Sequence, residues 1–171
     1  MPLMTLRPSF AAVSAAALVT LLTPRTASAD LTGFIGATPT PVTRPTVGLA
    51  VGAGLLIVAF EFEYAHTSED LTNPAQVAPD LHTYMFNGLL QTPFAIAGFQ
   101  PYATVGGGVY HETLSVPARS DTSFGTNIGG GAKINLIGPL RLRVDYRVFN
   151  FHGTPLHSPV QRFYAGANIK F

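Results

Sequence analysis

The residues best equipped for chemistry in this chain come in alternation. Arg141, Arg143, Asp145 and Arg147 are each separated by one residue, as are Glu61 and Glu63. A spacing of two places side chains on the same face of a β-strand, so each set makes one charged row. Between the charges stand Leu142, Val144 and Tyr146 in one segment, and Phe60, Phe62 and Tyr64 in the other. Each segment therefore has one charged and one greasy face. Two carboxylates on one strand have the composition of a glycosidase acid pair. The arginine row argues against that chemistry, because a guanidinium facing a carboxylate holds it as a paired anion. Two uses remain for the rows: an ion-pair gate in a narrow pore, or a salt-bridged plug. Charges in a narrow interior must pair, since an unpaired buried charge is costly. The plug is the simpler use, so Glu61, Glu63, Arg141, Arg143, Asp145 and Arg147 are expected to form one ion-pair network.

Other chemical groupings are weaker. His66, His82, His111, His152 and His157 stand near Glu69, Asp70, Asp80, Glu112 and Asp121 at segment ends. Such a set could capture a metal or sense pH. Ordinary polarity at a rim is the simpler account, and no metal is expected. His157-Ser158 and Asp145 supply the residue types of a hydrolase triad, but a triad is defined by geometry and no spacing recommends this one. Gly106-Gly107-Gly108 and Gly129-Gly130-Gly131 are not phosphate loops, because no Lys-Ser/Thr follows. They are read as steric relief inside strands. The chain has no Cys, which excludes disulfides, thiolate catalysis and a thioether lipid anchor. No catalytic residue and no cofactor is expected.

The charged rows need strands to hold them. Alternating segments are expected over 31–37, 46–54, 57–66, 81–91, 99–112, 123–136 and 140–151, with a last strand after a 152–159 loop. Each is near the ~9–11 residues with which a tilted strand crosses a membrane. The boundary near Leu55-Leu56 has poor turn chemistry. The segment 113–122 is polar and is expected to be a loop. Every second position in these strands is apolar: Val47, Leu49 and Val51 share one face, as do Val58, Phe60 and Phe62. Nothing else in the chain could cover so many apolar faces. A closed barrel with its greasy face in lipid resolves this. The expected fold is all-β, an eight-stranded antiparallel up-and-down transmembrane β-barrel. In an eight-strand closure, the third and seventh strands are opposite, so the glutamates face the arginines across the lumen.

Composition agrees. Of 171 residues, 47% are hydrophobic and only 11% charged, well below the roughly 25% charge of an ordinary soluble domain. The net charge of +1 offers no basic footprint for nucleic acid. Residues 1–29 have the form of a secretory signal peptide: Arg7, an apolar run over 10–22, and Ala27-Ser28-Ala29 as a small-x-small cleavage site. The expected division is a signal peptide over 1–29 and a barrel over 30–171.

The end of the chain carries a resemblance. Phe163, Ala165, Ala167, Ile169 and Phe171 alternate with the polar or amphipathic Arg162, Tyr164, Asn168 and Lys170. Tyr164, Gly166, Ile169 and Phe171 fall on the pattern polar–x–Gly–x–x–apolar–x–aromatic. That pattern resembles the assembly signal of bacterial outer-membrane barrels. The whole stretch after residue 29 resembles the small eight-stranded barrels of the outer membrane protein A/X-like group. It departs from them in having no Trp, so Tyr and Phe must form the interfacial girdles. No carboxy-terminal peptidoglycan-binding domain is expected, so wall anchoring is not implied. The resemblance implies a monomer in the outer membrane of a Gram-negative bacterium. Its implied partners are outer-membrane lipid, lipopolysaccharide and the barrel-assembly machinery. It further implies a structural or surface-interaction role and no enzymatic one. The alternatives are a narrow gated pore of porin-like character, a lipid-modifying barrel enzyme, and a secreted soluble barrel of lipocalin type.

Overall fold

Every alternating segment becomes a strand. The computed structural model describes residues 28–171. Its strands are β1 (Ser28–Thr38), β2 (Arg44–Leu55), β3 (Val58–Thr67), β4 (Asp80–Gln91), β5 (Phe99–Leu114), β6 (Arg119–Ile137), β7 (Leu140–Phe151) and β8 (Val160–Lys170). Each pairs antiparallel with its sequence neighbour, and β8 returns to β1, so the sheet closes into a barrel. The closing seam runs from Asp30 opposite Lys170 to Ala37 opposite Phe163. The signal-peptide segment lies outside the described residues, except for Ser28 and Ala29, which open β1.

One end of the barrel carries the turns between β2 and β3, β4 and β5, and β6 and β7. The other carries four loops, over 39–43, 68–79, 115–118 and 152–159. These are called the turn end and the loop end below. The turn with poor chemistry is real. Leu55 pairs with Val58, and Leu56 between them takes a left-handed φ of 57°. That conformation disfavours a side chain bearing a Cβ, but the ladders on both sides of the turn impose it. The expected 113–122 loop shrinks to 115–118. β5 and β6 continue pairing through His111 with Thr122, Glu112 with Asp121 and Leu114 with Arg119. Polar residues extend this hairpin because its outer part stands in water, where a ladder needs no greasy face.

The two faces separate cleanly. Ile35, Leu49, Phe60, Phe86, Leu90, Val105, Ile128 and Phe163 point outward and are more than half exposed. In water such a belt would drive aggregation; in lipid it is the required surface. Inward, glycines admit large rings. Phe34 lies flat on Tyr164, with ring centroids 4.1 Å apart. A Cβ on Gly48 would collide with the Phe34 ring, and one on Gly166 with the Gly33 carbonyl. Likewise, a Cβ on Gly108 or Gly129 would strike the backbone of the adjacent strand.

Val144 stands in mid-β7 on the lipid side, between the buried Arg143 and Asp145. Replacing it with Arg should therefore destabilise the folded barrel by about 2–4 kcal/mol. Urea unfolding in lipid vesicles measures this, and a variant as stable as wild type would mean that this face does not meet hydrocarbon.

Candidate functional site

The inward face of β7 sets out Arg141, Arg143, Asp145, Arg147, Phe149 and Phe151 in sequence from the turn end to the loop end. Across the lumen β3 presents Glu61 and Glu63, and beside β7 the inward face of β8 presents Arg162, Tyr164 and Asn168. The contents of the barrel follow from these rows, level by level.

The middle level is ionic. Both guanidinium ends of Arg143 donate to Glu61, one of them at 3.1 Å. Arg143 also donates to Asp145 at 3.0 Å. Arg147 reaches Glu61 at 2.9 Å and Asp145 at 3.0 Å. Its remaining end is 3.2 Å from Glu63, close enough for ion pairing but not aligned for a hydrogen bond. Arg162 donates to the other oxygen of Glu63 at 3.3 Å and to Thr83 at 3.2 Å. Three carboxylates thus meet three guanidiniums, and the level is neutral. Tyrosines complete it. The Tyr102 hydroxyl donates to Asp145 and accepts from Arg143 at 2.7 Å. The Tyr164 hydroxyl lies 3.1 Å from Glu63 and 2.9 Å from Asp145.

A second ionic cluster sits toward the turn end. Asp30 accepts from Lys133 at 2.6 Å and from Arg141 at 3.2 Å. Arg141 also donates to Asn168 at 2.7 Å and to Gln100 at 3.3 Å. The expectation that Arg141 faces the glutamates is therefore corrected. It stands one inward position below Arg143, where its register partner is Asn168 and its carboxylate partner is Asp30. Glu61, Glu63, Arg143, Asp145 and Arg147 do come together.

Toward the loop end the lumen holds apolar side chains as well as polar ones. Leu81, Met85, Tyr110, Phe149, Phe151 and Val160 form one buried apolar cluster. The Arg162 guanidinium covers the Phe149 ring at 4.4 Å, joining the apolar level to the ionic one. In the same part of the barrel, the hydroxyls of Thr38, Thr46 and Thr67 form a chain with links of 2.8 Å. Arg44 is buried nearby and donates to the carbonyls of Thr40, Ser68 and Pro79.

Several of these residues escape a reading of the sequence. Arg162 and Tyr164 are visible on the wet face of the last strand; adjacency of β7 and β8 is the available signal that they belong with Arg147. Tyr102 and the apolar lumen residues give no such signal, because an inward Leu or Phe breaks the alternation of polarity. Tyr164 and Gly166 of the assembly pattern face inward, whereas Ile169 and Phe171 are exposed on the outside. Asp145 lies in the lumen, while His157 bonds to the Val77 carbonyl and Ser158 to Phe151 at the loop end. The triad residue types are not brought together.

Glu61 holds two arginines, so its replacement leaves buried guanidiniums short of a partner. Glu61→Gln should cost about 3–5 kcal/mol and lower the urea midpoint, with Glu63→Gln acting in the same direction. Midpoints equal to wild type for both variants would show that water reaches these guanidiniums.

No curated protein matches the chain significantly. Among solved structures it is similar to the N-terminal β-barrel domain of OprF from Pseudomonas aeruginosa. The two are 16% identical, with a TM-score of 0.64 over 85% of this chain and 100% of that one. It is also similar to Ail, the attachment invasion locus protein of Yersinia pestis, at 11% identity and a TM-score of 0.56 over 86% of this chain and 100% of that one. Neisserial surface protein A gives 13% identity and a TM-score of 0.55 over 84% of this chain and 94% of that one. At these identities the likeness is one of fold. The family assignment comes from the sequence: residues 10–171 match a described barrel family, and the charge-filled, lipid-faced barrel has the form such a family requires. The chain belongs to the outer membrane protein beta-barrel domain family.

Proposed function

We propose that this chain is a closed-lumen barrel of the outer membrane, with a structural or surface-interaction role and neither transport nor catalysis. One observation carries the reading. A buried apolar level lies beside a neutral level of three carboxylates and three guanidiniums. An eight-stranded interior is just wide enough for side chains to fill. A permeating ion would have to break these pairs and then pass the packed side chains of Phe149, Phe151 and Met85.

Residues 1–29 act in this proposal as the export signal, with cleavage before Asp30. β1 would then begin at Asp30, whose pairing with Gly52 and Lys170 is retained. The barrel works as a monomer in lipid and lipopolysaccharide, delivered by the barrel-assembly machinery through Tyr164, Gly166, Ile169 and Phe171. Surface contact would use the rim at the loop end. Ail was solved with a heparin analogue. The rim of this chain carries Glu69, Asp70, Asp80 and Asp121, none of them buried, which does not suit a polyanion, so that ligand is not carried over.

Refolded protein in planar bilayers should show no discrete channel events, and neither should Glu61→Gln or Glu63→Gln. Flickering conductance in wild type, with altered open probability in the glutamate variants, would replace the plug by a gate. The assembly pattern has its own test. Phe171 is exposed and directly follows β8, the strand that closes the barrel against β1. Phe171→Ser should lower the amount of heat-modifiable, folded barrel on gels while leaving export intact. An unchanged folded fraction would remove Phe171 from the assembly pathway.

A further inference from the structure

On the outside of the barrel, at the loop end, strand pairing assembles a group that chain order keeps apart. His66 on β3 is the register partner of His82 on β4. Asp80 precedes His82 by two residues, so both project on the same, outward side of β4. The inward neighbours Ala65, Thr67, Leu81 and Thr83 are buried. The two imidazoles stack, with centroids 4.7 Å apart. Asp80 binds both: one oxygen is 2.7 Å from His66 Nε2 and the other 2.9 Å from His82 Nε2. The ligand atoms of all three lie within 4.8 Å of one another. The side chains are about one-third exposed, at 30–32%, so an ion can reach them from water.

From this geometry we infer that His66, Asp80 and His82 form a binding site for one divalent transition-metal ion of the Zn2+ class. Two imidazole nitrogens and one carboxylate oxygen are a common zinc donor set, leaving a fourth tetrahedral position for water. Metal–ligand distances of ~2.0–2.1 Å place tetrahedral ligand atoms about 3.3 Å apart, so the ion enters as the Asp80 contacts widen and the three groups, now within 4.8 Å, adjust around it. The second nitrogen of His82 lies 3.0 Å from the Tyr64 hydroxyl. This contact orients the ring, and the hydroxyl can accept from Nδ1–H when Nε2 holds the metal, as outer partners do in metal sites. When the ion binds, the proton on each Nε2 is replaced at that nitrogen and the neutral ring carries its proton on Nδ1. For His82 that proton is then donated to Tyr64. Calcium and magnesium do not fit, because they take six or more oxygen ligands and this group has one carboxylate.

His111 supplies an internal control. It lies beside His82 in the next register pair, but its two nitrogens contact Thr122 and Thr113 at 2.6 and 3.1 Å. It is in the histidine row and outside the site.

The test is Zn2+ titration of the untagged full chain refolded in detergent micelles, by calorimetry with Ca2+ and Mg2+ in excess. One Zn2+ per barrel is expected. His66→Ala and His82→Ala should each weaken binding ~10-fold or more, while His111→Ala binds like wild type. Each variant is first shown to be a folded barrel by its heat-dependent shift on a gel. Co2+ gives a second readout, as the visible absorption of a tetrahedral complex in wild type that is lost in His82→Ala. The assignment is overturned if no saturable Zn2+ binding occurs, if Ca2+ or Mg2+ abolishes it, or if His111→Ala alone removes it.

Discussion

A backbone amide left unpaired in hydrocarbon costs several kcal/mol, and a sheet with free edges exposes a whole row of them. The seam between β1 and β8 is where this barrel meets that requirement. Pairing from Asp30–Lys170 to Ala37–Phe163 removes both edges at once. Once the sheet is closed, each strand has one side in lipid and one in a narrow lumen. The alternation of every strand follows from that geometry: Val144 and Tyr146 must be greasy because they meet acyl chains, and Arg143 and Asp145 can be charged because they do not.

Closure also creates the barrel's second difficulty. The lumen is too narrow to hydrate charges freely, so those inside must satisfy one another. Glu61, Glu63 and Asp145 against Arg143, Arg147 and Arg162 do this with no net charge. Burying such a cluster is not by itself a gain in stability, since desolvation offsets much of the attraction. Its clearer consequence is register. A slip of one residue would turn every side chain to the opposite face and drive three guanidiniums into lipid. Apolar residues alone would tolerate such a slip far better.

The likeness to OprF, Ail and neisserial surface protein A is one of fold, and a fold does not fix a function. Here the filling runs from Asp30 at the turn end to Phe151 at the loop end. The rim is acidic and histidine-bearing, on short loops. Those two features, and not the fold, are what a functional account of this protein has to explain.

Alternation is a local property, so the sequence alone determined where the eight strands lie and which face most of their side chains take. Val47 and Leu49 outward, Glu61 and Glu63 inward, and the whole of β7 are legible from a spacing of two. Even the opposition of β3 and β7 follows from counting eight strands. Other features depend on which strand heights and edges meet, and no local pattern encodes those. Arg141 shares a face with Arg143, yet its carboxylate partner is Asp30 on β1, which only closure of the barrel brings near. Tyr102 and Leu81 enter the lumen although their polarity gives no hint of it. Both ends of the polar 113–122 segment pair in a ladder because each strand supplies the other's hydrogen bonds. His66, Asp80 and His82 are neighbours only because β3 and β4 pair in one register, which the closed barrel imposes and spacing along the chain cannot express.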